Sequence, residues 1–323
     1  MTSNPFLPHS KFLLFPHLLL PFSTSPRLCA FARSSLQFKI PLQVRYALTL
    51  TLTLTACFGI QTLALHHVGG RTTKSESNFF SSIARIQTGS AQPVARVFLA
   101  GSSLTGRFPS RSEEFPDVAN LGCDGESAAV VMRAIDKGIL PLPPVLVIEG
   151  NTLYREQAAS ESLVGTVMES QWFELGRNIP NLSATARPSA FAYSIFLERK
   201  VGRADGREKL PLPIPSVALI PPTDTETLPK SAEELVAELL EICGRFRERG
   251  CSILIAQLPP GDAPETMYTR IPYELSRTAG IPMLDLTKDL PPGAVRYTDG
   301  IHMAPASAAA ALRSILNAIK TLP

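Results

Sequence analysis

Short β-rich apolar runs alternate with helical segments over the C-terminal two-thirds of the chain. This alternation narrows the fold more than any other sequence feature. Val94–Ala100 (VARVFLA) reads as a strand that stops at Gly101. Ser127–Lys137 has helical spacing and ends at Gly138. Val145–Ile148 is a second buried strand. Ser231-Ala232-Glu233-Glu234 forms a capping box, and Leu235, Leu239, Leu240 and Cys243 then line one face of a helix up to Arg249, with Gly250 as its stop. Cys251–Ala256 and Ile281–Leu286 read as two further strands. Pro305 opens a last, alanine-rich helix that runs to about residue 320. Strand–helix alternation predicts an α/β fold, a three-layer α/β/α sandwich with a parallel central sheet, over residues 94–323. Residues 155–230 break the pattern. They contain the single tryptophan, Trp172, and several prolines, and read as an insertion serving as a lid or substrate wall.

Ahead of this domain, Ala47–Leu65 (ALTLTLTLTACFGIQTLAL) has no charged residue. Its length is close to the ~20 residues that an apolar helix needs to span a bilayer. Threonine hydroxyls inside such a helix can bond to carbonyls one turn earlier. The alternating LTLTLTLT also fits a buried strand. Arg27, Arg33, Lys39 and Arg45 precede the segment, while Arg71 and Lys74 follow it. This bias puts the N-terminus in the cytoplasm and the domain outside, as a single-pass protein of the cytoplasmic membrane with a periplasmic domain. Leu54-Thr55-Ala56-Cys57 offers a second reading, a lipoprotein processing box with Cys57 lipidated. The expected organisation is a segment 1–43, cytoplasmic or a misassigned start; an anchor or signal 44–67; a linker 68–93; and the domain 94–323. Both membrane readings put the domain outside the cytoplasm.

A net charge of +3 with no basic stripe excludes a nucleic-acid surface. The five cysteines show no CxxC spacing, so neither a zinc site nor a disulfide framework is implied, although one disulfide remains open.

Four short segments carry candidate chemistry, and each follows a strand or precedes a helix. Gly101-Ser102-Ser103-Leu104 puts serines on a tight turn at a strand end. Asn120-Leu121-Gly122-Cys123-Asp124-Gly125-Glu126-Ser127 is a Gly-rich entry to a helix, where backbone N–H groups can bind an anion. Glu149-Gly150-Asn151-Thr152 brings an amide that can donate to an oxyanion. Asp299-Gly300-Ile301-His302 holds His302, the only one of five histidines beyond residue 68. Serine chemistry in this domain therefore requires His302 as base, with Asp299 fixing its tautomer from three residues earlier.

In this order the four segments resemble the blocks of the SGNH (GDSL-like) hydrolase family, over most of residues 94–323. The resemblance implies a flavodoxin-like sheet and a serine esterase or acyltransferase with Ser103 as nucleophile. It gives Gly125 and Asn151 as oxyanion donors, and Asp299 and His302 as the remaining triad members. Two departures stand out. Ser102 occupies the place of the first block's aspartate, and Glu149 and Thr152 replace the outer residues of Gly-x-Asn-Asp. The chemistry needs no metal or organic cofactor. The expected substrates are O-acetyl groups of cell-envelope or exported glycans, with envelope polysaccharide-modification proteins as partners. The alternatives are a lipid or aryl esterase, and a catalytically silent module that binds glycan or supports an assembly.

Overall fold

The structure, a computed structural model, describes residues 41–67, 75–155, 162–190, 192–193, 196, 230–259, 267–287 and 295–322. The chain divides into two units, Met1–Thr55 and Ala56–Pro323. What is described of the first unit is the leading part of helix α1 (Leu42–His67), and residues 1–40 lie outside the described residues. At ~1.5 Å per residue, its 26 residues span about 39 Å, more than the ~30 Å of a bilayer's hydrocarbon core. Thr49 and Thr51 donate to the carbonyls of Arg45 and Ala47, so these threonines satisfy their hydroxyls inside the helix as expected. The strand reading of LTLTLTLT gives way to this helix. α1 is long and apolar enough to cross a membrane.

In the second unit, the described residues form five strands in one all-parallel sheet: β1 (Val97–Ala100), β2 (Val118–Asn120), β3 (Val145–Glu149), β4 (Ser252–Gln257) and β5 (Met283–Asp285). Their order is β2-β1-β3-β4-β5, the flavodoxin-like order. Four of these strands coincide, within three residues, with runs read from the sequence. Alternate residues enter two separate cores, as a pleated strand requires. Phe98, Leu146, Ile148, Ile253 and Ile255 enter one. Val97, Leu99, Val145, Val147 and Leu254 enter the other.

The first core is filled by helices α2 (Asn78–Gly89), α3 (Ala128–Asp136), α4 (Leu163–Met168), α5 (Gln171–Asn178), α6 (Lys230–Glu248) and α7 (Met267–Ala279). The second is filled by α8 (Pro305–Ile319), through Ala308, Leu312 and Ile315. Cys123, Cys243 and Cys251 are buried and form no disulfide among the described residues, and burial pushes the Cys243 thiol up to about 12 and that of Cys251 up to about 11.

Two boundaries need correcting. The expected linker 68–93 contains α2, capped by the Ser77 side chain and burying Ile83 and Ile86 in the first core, so the domain begins before residue 94. Its apolar positions Phe79, Ile83 and Ile86 recur at helical spacing. The expected insertion is described over 162–190, where Val164, Met168 and Phe173 enter the same core. This part is a structural wall of the domain; most of the remainder, 156–161 and 197–229, lies outside the described residues. The last turns of α1 also meet this region: the Gln61 amide donates to the Asn181 carbonyl at 3.1 Å and to that of Ala186.

Candidate active site

In a sheet of this order the chain leaves β1 towards β2 and then returns to the other side through β3. The crevice at that reversal opens beyond the carboxyl ends of the strands. Ser103 follows β1 directly, and Glu149 ends β3.

The turn that carries the base is built locally. Tyr297 and Met303 form an antiparallel bridge, and Thr298 N–H donates to the His302 carbonyl at 2.9 Å. Gly300 takes φ +84° at the tip, a conformation that costs a glycine little. Asp299 Oδ1 accepts the backbone N–H of Ile301 at 3.1 Å and of His302 at 2.8 Å. This orients its other oxygen, Oδ2, towards His302 Nδ1 at 2.6 Å. The His302 N–H and then the imidazole hold the Asp299 carboxyl far below the usual carboxylate range. An ionised Asp299 accepts a hydrogen bond from Nδ1–H, which leaves Nε2 as an acceptor. Nε2 lies 2.9 Å from Ser103 Oγ. Three side chains from opposite ends of the domain thus form one hydrogen-bonded relay, 199 residues apart between serine and histidine. No family model, curated protein or solved structure matches the chain.

The two residues read as oxyanion donors lie on neighbouring loops. Among the described residues, no hydrogen bond joins either to the relay. Gly125 is exposed, with φ +88°, in the turn closed by Glu126 N–H to the Cys123 carbonyl at 3.1 Å. Cys123 N–H donates to the Gly101 carbonyl at 2.7 Å, which ties this loop to the end of β1. Asn151 is engaged with β4's end: its amide donates to the Leu258 carbonyl at 2.7 Å and its oxygen accepts the Leu258 N–H at 2.7 Å. An amide carries two N–H groups, so one is left for an oxyanion.

Three further residues shape the site: Asn120 and Glu149 lie in the segments read from the sequence but have no role assigned there, and Arg85 lies outside them. Asn120 donates to the carbonyls of Thr105 and Phe108, both at 2.8 Å, and accepts Gly122 N–H at 2.9 Å, which locks the first two loops together. Arg85, on α2, donates to the Gly122 carbonyl at 2.8 Å and pairs with Asp124 at 2.8 Å; the pair is nearly buried. The third is Glu149, whose carboxylate lies beneath the Ser103 turn. Helical periodicity at 79, 83 and 86 is the signal by which the segment carrying Arg85 could have been found.

Proposed function

We propose that this chain is a serine-dependent ester hydrolase or acyltransferase of the SGNH type, with the α/β/α sandwich of that family. One observation carries the reading: Ser103 Oγ, His302 Nε2 and Nδ1, and Asp299 Oδ2 stand in a relay of 2.9 Å and 2.6 Å contacts. A nucleophile in reach of a base, and a base oriented by a third group, is the arrangement that activated serines require. The two cores on either side of the parallel sheet support the sandwich.

Ser103 Oγ attacks an ester carbonyl and passes its proton to His302 Nε2. The carbonyl oxygen, now negative, is held by the N–H groups of Ser103 and Gly125 and by the second N–H of Asn151. Collapse breaks the ester bond, and His302 returns the proton to the departing alcohol, which leaves an acyl-Ser103. Water or an acceptor hydroxyl then attacks this ester and loses its proton to His302; the acyl–Ser103 bond breaks, and His302 returns the proton to Ser103 Oγ. Asp299 stays ionised throughout and stabilises the imidazolium. The anchor α1 holds the domain at the periplasmic face of the cytoplasmic membrane. A domain there meets acylated glycans, so the substrates are O-acetyl groups of envelope or exported polysaccharides. A silent glycan-binding module is the second reading, favoured by the engagement of Asn151 with Leu258.

The test is fluorophosphonate labelling of the detergent-solubilised chain, with peptide mapping of the modified residue. Labelling at Ser103, lost in folded Ser103→Ala and His302→Ala proteins, is the expected result. A folded protein that takes no label, or takes it at Ser102, overturns the assignment.

A further inference from the structure

Glu149 is 2% exposed at the end of β3, an unusual place for an acid with no cationic partner among the described residues. Its acceptors are turned mainly on the Ser103 loop. Oε2 accepts the Ser102 N–H at 2.8 Å, the Thr105 N–H at 3.1 Å and the Thr105 hydroxyl at 2.6 Å. Oε1 accepts the Ser102 hydroxyl at 2.7 Å and the Thr152 hydroxyl at 2.9 Å. The Ser102 oxygen in turn accepts Leu104 N–H at 3.1 Å. Residues on both sides of Ser103 are therefore tied, directly or through one hydroxyl, to a single carboxylate. The site is built around this acid: a Cβ at position 101 would lie 2.4 Å from Oε2, so only glycine leaves room for it.

We propose that Glu149 is a positioning residue for Ser103, holding the nucleophile turn from β3 as a carboxylate at position 102 would hold it from β1. The inference rests on Ser103 being the nucleophile. Five donors meet the carboxylate, and bonds to an ionised acceptor are roughly twice as strong as neutral ones. Glu149 leaves Ser103 itself unbonded, so its effect on reaction is through the backbone that sets Oγ against His302. Ser102 Oγ already lies 2.7 Å from Oε1 and already accepts the Leu104 N–H. An aspartate at 102 would thus bring its charge into the same set of donors once Glu149 is shortened. Ser102 and Glu149 are two of the three positions where the chain departs from the SGNH block pattern, and these two departures compensate one another.

The experiment measures the rate of fluorophosphonate capture by the full chain in detergent, with a thermal melt for each protein. The set is wild type, Glu149→Gln, Glu149→Ala and the double variant Ser102→Asp/Glu149→Ala. Glutamine keeps the volume but turns an NH₂ towards groups that are themselves donors. Displacing a reacting atom by ~1 Å can cost ~100-fold, so both single variants are expected to react about 10- to 100-fold more slowly. The double variant is expected to regain a rate within a few-fold of wild type. Recovery from a second site is not expected of a residue that only adds stability. Should Glu149→Ala fail to fold, Glu149→Gln and the double variant decide. A folded Glu149→Gln protein that captures the probe at the wild-type rate overturns the proposal and leaves Ser103 as nucleophile. So does a double variant that melts like wild type yet stays as slow as the singles. A wild type that takes no label removes both readings together.

Discussion

Replacing Asp299 by asparagine removes one charge and almost no volume. Asp299 Oδ1 accepts two backbone N–H groups, at 2.8 and 3.1 Å, and Oδ2 faces His302 Nδ1 at 2.6 Å. An asparagine has one oxygen, and the two N–H groups claim it. Its NH₂ is then left facing Nδ1. Two donors cannot face one another, so the imidazole takes the tautomer with its proton on Nε2. That nitrogen now donates to Ser103 and cannot accept the serine proton. The same tautomer error in a serine triad costs ~10⁴ in turnover, or about 5 kcal/mol at ~1.4 kcal/mol per decade. The rate of probe capture at neutral pH measures it. The two backbone bonds persist, so the fold should survive. A folded Asp299→Asn protein within tenfold of wild type would refute the relay. The carboxyl's depressed titration gives a second readout. A group whose folded value lies below its unfolded one stabilises the fold above the ordinary carboxylate range, ~4, and loses that contribution as pH falls towards the folded value. Any excess melting temperature of wild type over Asp299→Asn should therefore narrow as the pH is lowered from 6 to 3. The excess is small, since the side chain is 49% exposed.

Ile86, fully buried on α2, tests whether the domain begins before residue 94: Ile86→Ala should lower unfolding free energy by ~2–5 kcal/mol in urea titrations, and a loss under ~0.5 kcal/mol would return α2 to the linker. Gly125→Ala separates conformation from space, because an added Cβ meets nothing within 4 Å while φ stays at +88°. It should cost ~1–2 kcal/mol by strain alone and slow probe capture as the N–H turns away, whereas wild-type stability in the same titration would mean that the turn relaxes freely.

The parts legible in the sequence are those in which one physical signal acts alone. β1, β3 and β4 are runs buried on both faces, and hydrophobicity without alternation reports them directly. The Asp299–His302 turn is set by four consecutive residues, so its geometry is written locally. β2 is only three residues long, too short for any period, and is recruited by β1 and by the Ser110 hydroxyl that meets Asn120 N–H at 3.0 Å. α7 contains Pro272, which reads as a helix breaker, yet Ile271 and Leu275 are held in the first core on either side of it. α2 has its cap and its apolar period, but its serines and its place next to a membrane segment make the same residues resemble a tether. Glu149 is the least legible of all. A glutamate after VLVI reads as the point where a strand reaches water, and only the packed loop, with five donors converging on one carboxylate, turns that exposure into burial. Pattern reports a residue's partners when they are near in sequence; Ser102 and Glu149 are 47 positions apart, and the hydrogen bond between them exists only once β1 and β3 lie side by side.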